Sequence, residues 1–148
     1  MSDIDILNES LAGEHFGVAA YDAAVGTGLL DEPTAGIARA FQGQHRDHGL
    51  RLSELITARG GKPVAPLSAD KYAVEYPPLK DAGDIVAYAI VLESGAAQAS
   101  VASVGRYADR DLAVVAAQIA GVEAMHWAAL LAATGQNPAP VSFIPLPD

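Results

Sequence analysis

Four long helical segments, joined by two short links and one long one, constrain this chain of 148 residues more than any other feature of its sequence. The first segment runs roughly from Asp3 to Leu30, with Ile4, Leu7, Leu11, Val18, Tyr21 and Val25 recurring at helical spacing. The second starts near Pro33, with Asp31 as its cap, and ends at Gly60-Gly61. The third runs from about Asp81 to Tyr107. The fourth starts near Asp109 and stops at Gly135, a C′ glycine with Pro138 beyond it. A link of a few residues makes neighbouring helices antiparallel. Between the second and third segments lie about 20 residues with Pro63, Pro66, Pro77 and Pro78, enough to run the length of a bundle. The expected fold class is therefore all-α: an antiparallel four-helix bundle of two hairpins joined by a long crossover. It occupies residues 1–137, followed by a proline-rich extended tail over residues 138–148. The tail carries Val141, Phe143, Ile144 and Leu146, which are expected to lie on the bundle or on a second subunit, making a homodimer.

Composition narrows the function classes. A net charge of −9 argues against a nucleic-acid partner and against an anionic membrane surface, both of which call for Lys and Arg. The absence of cysteine removes disulfides, thiol nucleophiles and thiolate metal sites. Residues 1–12 lack the basic start and apolar stretch of a signal peptide, so the chain is expected in the cytoplasm.

The motif with chemistry is Glu123-Ala-Met-His126. Glu and His three positions apart share one face of a helix, about a turn apart. Here they sit in an apolar run from Leu112 to Ala133, where a carboxylate is costly unless something pairs with it. Other segments repeat the pattern. From a turn at position 31, Glu14 lies 17 residues back (31 − 14), and His45 and His48 lie 14 and 17 forward. From a turn at position 108, Glu93 lies 15 back, Glu123 lies 15 forward and His126 lies 18 forward. At 1.5 Å per residue these groups stand roughly 20 to 27 Å from their turns, so each hairpin brings its Glu level with its His. The interval from Glu14 to His48 is 34 and that from Glu93 to His126 is 33, which reads as a repeated hairpin. Carboxylates gathered on apolar faces repel each other and lose hydration; a cation or protonation resolves the conflict. Carboxylate oxygen with imidazole nitrogen suits iron, manganese or zinc.

With Glu14 on helix one, Gln44-His45-Arg46-Asp47-His48 on helix two, Glu93 on helix three and Glu123/His126 on helix four, the chain resembles the ferritin-like superfamily. The likeness is to its ferritin-like domain proteins, including desiccation-related relatives, and covers about residues 5–134. Their pattern is Glu, Glu-x-x-His, Glu, Glu-x-x-His. Glu14, Glu93 and the Glu123/His126 pair map onto it directly. His48 takes the second histidine's place, while His45 stands where the pattern has Glu. The alternative register, Gln42-x-x-His45, also lacks the carboxylate. The resemblance implies a divalent metal, iron foremost, held by Glu14, His45, His48, Glu93, Glu123 and His126 in the bundle core. It also implies di-metal oxidoreductase or ferroxidase chemistry, with Glu123 bridging or chelating. The missing helix-two carboxylate opens a second reading: a non-catalytic stress-protection or interaction bundle with a degenerate site.

Lesser features have plainer readings. His15 points about 100° from Glu14, toward the surface or behind the ligands. Tyr21, Tyr88 and Tyr107 are core packing before they are redox partners. Asp47 and Arg51 form a solvated pair one turn apart, and Gly13-x-x-x-Gly17 permits close helix approach. Segments 85–105 and 112–134, each apolar with a central acid, also fit a membrane hairpin. Interrupting Ser and Gln and the polar first two helices favour a bundle without a membrane partner.

Overall fold

A computed structural model describes residues 1–146; Pro147 and Asp148, the end of the tail, lie outside the described residues. Among the described residues there is helix and no strand. The elements are α1 (Asp3–Gly26), α2 (Glu32–Ala58), α3 (Ala69–Ala73), α4 (Ala82–Val104) and α5 (Arg110–Ala133). The four expected long helices are all present. The first ends four residues earlier than expected, at Gly26 rather than Leu30. The Thr27 hydroxyl donates to the Ala24 carbonyl at 2.7 Å and accepts from the Leu29 N–H at 3.2 Å, drawing the chain out of the helix.

The chain divides into two compact units, residues 7–85 and residues 86–148 with 1–6. In the first unit, α1 and α2 run antiparallel, because their contacts descend along one helix as they ascend along the other. Gln42 Nε2 donates to the Val18 carbonyl at 3.0 Å, His45 meets Glu14, and Gly49 faces Leu11. Asp31 caps α2 as expected, accepting from the Thr34 N–H at 3.0 Å. The core of this unit is built on Leu7, Leu11, Tyr21, Leu52 and Ile56, all nearly inaccessible to water.

The crossover from α2 to α4, to which the sequence assigns no helix of its own, contains the short helix α3. Tyr72 accounts for it. This side chain is buried, sits edge-on to Phe16 at 5.9 Å, and accepts the Leu67 N–H on its hydroxyl at 2.9 Å. Asn8 ties the start of the crossover to α1, donating to the Lys62 carbonyl at 3.3 Å and accepting from the Val64 N–H at 2.8 Å. His15 is neither a bare surface residue nor a partner of Glu14; its Nε2 donates to the Val64 carbonyl at 3.1 Å. Arg51 pairs with Glu54 at 3.3 Å and leaves Asp47 aside, so the expected pair with Asp47 does not form.

Helix α4 begins in the first unit, where it buries Ile85, and in the second unit it buries Ala89, Glu93 and Ala97, one residue per turn. Helix α5 buries Leu112, Ala116, Ile119, Glu123, His126 and Leu130. Asp109 caps α5 through the Asp111 N–H at 2.9 Å, and Asp3 accepts the N–H groups of Ala108 and Asp109. Helices α4 and α5 are long and apolar enough to cross a membrane by length and composition. In the tail, Val141, Phe143 and Leu146 are exposed, so they do not pack on their own chain as one expectation had it. The motif Asn137-Pro138-Ala139 turns the chain outward, with the Ala139 N–H donating to the Asn137 side chain at 3.0 Å.

Helix α2 ends in a double closure: the Gly61 N–H reaches the Ile56 carbonyl at 2.9 Å and the Gly60 N–H reaches Thr57 at 3.0 Å. Gly60 has φ +75°, where a Cβ is strained. Replacing Gly60 by Ala is expected to destabilise the protein by about 1–2 kcal/mol. Gly43→Ala, in the interior of α2 where an added Cβ meets nothing within 4 Å, should stabilise by about 0.5–1 kcal/mol. Urea unfolding of both variants checks the opposite signs.

Candidate metal centre

Each unit places three of the six sequence-predicted ligands together. In the first, Glu14 is on α1 and His45 and His48 are on successive turns of α2. The Nδ1–H of His45 donates to Glu14 Oε2 at 2.8 Å, and His48 Nδ1 stands 3.5 Å from the same oxygen. One ligand atom from each of the three lies within 4.8 Å of the other two. In the second unit, His126 Nδ1 lies 3.2 Å from Glu93 Oε2 and 3.2 Å from Glu123 Oε2. Those three atoms also fall within 4.8 Å of one another. The first trio is one carboxylate with two imidazoles; the second is two carboxylates with one imidazole.

Burial makes these contacts energetically serious. Glu93 has no exposed surface, Glu123 is 1% exposed and Glu14 is 7% exposed. An unpaired carboxylate at such a depth would take up a proton rather than remain charged. Burial does push the Glu14 carboxyl upward, but the hydrogen bonds and charges of His45 and His48 outweigh it, so its pKa falls below the ordinary value. For His126 burial favours the neutral ring, yet Glu123 and Glu93 overcome this and raise its pKa.

The helices can present this chemistry only because space was left for it. A Cβ on Gly17 would stand 2.9 Å from His45 Cε1 and Nδ1, so the imidazole lies flat against the bare backbone of α1. Tyr21 holds the ring on another side, with ring centroids 5.7 Å apart, and meets Phe41 edge-on at 6.1 Å. Gly17 is thus the site residue that ligand spacing missed. The sequence marked it as half of the Gly13-x-x-x-Gly17 pair that permits close helix approach, and the approach occurs at Gly17, with nothing within 4 Å of a Cβ at Gly13. By contrast, a Cβ on Gly49 would make ordinary contacts at 3.6 Å with Leu11 and 3.7 Å with Glu14. Gln42, three residues before His45, donates to the Val18 carbonyl and to Asp22 Oδ1 at 3.3 Å; it fastens α2 to α1.

A family model of the ferritin-like domain matches residues 2–136. The chain belongs to the ferritin-like domain family. A similar solved structure is that of a conserved hypothetical protein from Mycobacterium tuberculosis. It is 20% identical and has a TM-score of 0.77 over 87% of this chain and 94% of that one. At that identity the likeness concerns the fold, and it agrees with the all-α ferritin-like class expected from the four segments and their links. No curated protein matches the chain. In this ferritin-like protein, the buried carboxylates and imidazoles form a donor set compatible with a divalent metal.

Two predictions follow from this geometry. Gly17→Ala should displace the His45 ring and cost about 1–3 kcal/mol, whereas Gly49→Ala should leave stability equal or higher. Thermal melts of the two variants, with the His45 ring signals followed by NMR, compare them directly. In chelator-treated protein, the depressed Glu14 pKa contributes stability that is present above its ordinary value of 4.5 and lost as pH falls through the folded-state value. The raised His126 pKa contributes stability that is complete below 6.5 and lost as pH rises through the folded-state value. Stability from these two groups should therefore be greatest between pH 4.5 and 6.5. Glu14→Gln should flatten the acid limb, and His126→Gln the limb above it, in denaturant titrations repeated across pH.

Proposed function

We propose that this ferritin-like chain is a metal-binding protein whose ligands are Glu14, His45, His48, Glu93, Glu123 and His126. The observation that carries this reading is the burial of three carboxylates, each against imidazole, on the interiors of four helices. Each trio offers the three donors that hold a divalent ion with room for further ligands. Iron is favoured by family membership; manganese and zinc suit the same oxygen and nitrogen donors. Two ions within about 4 Å of one another would support ferroxidase or other dioxygen-using oxidoreductase chemistry. In that role Glu123 would bridge or chelate, Glu14 and Glu93 would be terminal carboxylates, His48 and His126 nitrogen ligands, and His45 would stand in for the helix-two carboxylate. Supporting this reading, the side chains pair among themselves: His45 and His48 flank Glu14, and His126 is shared by two carboxylates.

That same self-sufficiency favours a second reading. The first trio, one carboxylate facing two imidazoles, has the means to balance its own charge and can persist without metal, as in a non-catalytic stress-protection or interaction bundle with a decayed site. A homodimer in the cytoplasm fits both readings. Its support is the exposed apolar tail, with Phe143 88% accessible, and the net charge of −9, which disfavours nucleic-acid and anionic-membrane partners.

The experiment is metal analysis of protein purified without chelator, together with thermal melts at defined free metal. Iron, manganese or zinc should copurify at up to two ions per chain. An ion present at a hundred times its Kd should stabilise the fold by about 2.7 kcal/mol. The paired replacement Glu93→Gln and Glu123→Gln should abolish that increment. A metal-free preparation that gains nothing from any of the three ions, and in which the paired replacement is neutral or stabilising, sinks the metal reading and leaves the second.

A further inference from the structure

Beside the first trio lies an open hollow of about 500 Å³, bordered by α1, α2 and the crossover. This is the size of pocket that holds a small organic molecule. Val18 on α1, Leu50 on α2, and Leu67 and Tyr72 from the crossover give it mostly apolar walls. Leu50 is 65% exposed and Leu67 is 55% exposed, so two large aliphatic side chains are left open to water around one concavity. Single exposed leucines are ordinary; several around one opening suit an apolar guest.

Arg46 also lines this cavity. Among the described residues it forms no ion pair, although acidic side chains outnumber basic ones by 18 to 9 in the chain. Other arginines do find carboxylates: Arg39 pairs with Glu32, and Arg51 with Glu54. A guanidinium with five donors and no counter-ion beside an apolar hollow is suited to an incoming planar anion. The charge of that anion is limited by Asp22, which lines the same cavity and is engaged by Gln42. A dianionic phosphate would meet its repulsion more strongly than a single carboxylate would. His45 is another lining residue, so the cavity reaches the imidazole that contacts Glu14.

We propose that this cavity binds a monocarboxylate with a short hydrocarbon body, its carboxylate on Arg46 and its apolar part among Val18, Leu50, Leu67 and Tyr72. Binding stands apart from the metal reading. Only the further statement that the guest is a reactant, held next to a metal ligand, rests on it.

Octanoate serves as the probe, with octylammonium as the charge-reversed control, in calorimetric titrations of the full chain. Each is run on chelator-treated protein and on protein with added iron, with metal content measured in parallel. Octanoate should bind at one site per chain in both preparations, and octylammonium at least tenfold more weakly. Arg46→Gln should weaken octanoate at least tenfold with the melting temperature unchanged, since the side chain is exposed and unpaired. Leu67→Ser, also on an exposed position, should weaken octanoate and leave metal content as it was. Absence of octanoate binding to the wild type overturns the proposal. So does equal binding of the two probes, or an Arg46→Gln variant that binds octanoate like the wild type. If iron, manganese and zinc all fail to bind and octanoate still binds with these dependences, the metal reading fails while the cavity assignment holds.

Discussion

Charge buried in a helical interior is the constraint on which the rest of this structure depends. Three glutamates are placed where water is nearly absent, and each is held by imidazole nitrogen rather than by Lys or Arg. This choice matters. A lysine or arginine would fix the charge permanently, whereas an imidazole can share a proton, accept one, or give up its nitrogen to a cation. Burial acts on both partners in opposition to their attraction, and in Glu14 and His126 the attraction wins. The polar groups are thus stable in an apolar setting without losing the chemistry that would make them useful.

Simple helix geometry delivers this arrangement. Distances from a tight turn that agree to within one helical turn become neighbouring heights on antiparallel helices, which is why Glu14 meets His45 and His48, and Glu93 meets His126. Residues three apart meet on one helix, which is why Glu123 joins His126. Alanine-rich sequence strengthens the helices and keeps side chains small. Gly17 carries the same economy to its limit, letting a flat imidazole rest on backbone. The crossover is also part of the arrangement. Asn8, His15 and Phe16 bind it to α1, and so it closes one side of the hollow beside His45.

Much of this was legible in the sequence, because the signals were periodic or local. The four long helices, the Asp31 cap, and the glycine stops at Gly60 and Gly135 follow from residue type and spacing. The level of each glutamate with its histidines follows from counting. What escaped depends on contacts between residues distant in the chain. Helix α3 exists because Tyr72 has Phe16 to pack against, and nothing in residues 60–80 announces that partner. Arg51 had acids on either side, at Asp47 and Glu54, and spacing alone does not choose between them; the side chain turned to Glu54. Counting ranked His48 as the family's histidine, but His45 is nearer to Glu14, because a bare α1 backbone at Gly17 admits its ring. Tail residues Val141 and Phe143 are apolar yet exposed, and composition does not say whether a hydrophobic side chain finds a surface on its own chain.

None of the six trio residues sits in a loop; each lies well inside a helix, turns away from either end. Hydrogen-bonded backbone of this kind opens rarely compared with surface loops. Motion of the loops would therefore leave the spacing of those side chains unchanged, and altering that spacing would take the opening of a helix itself.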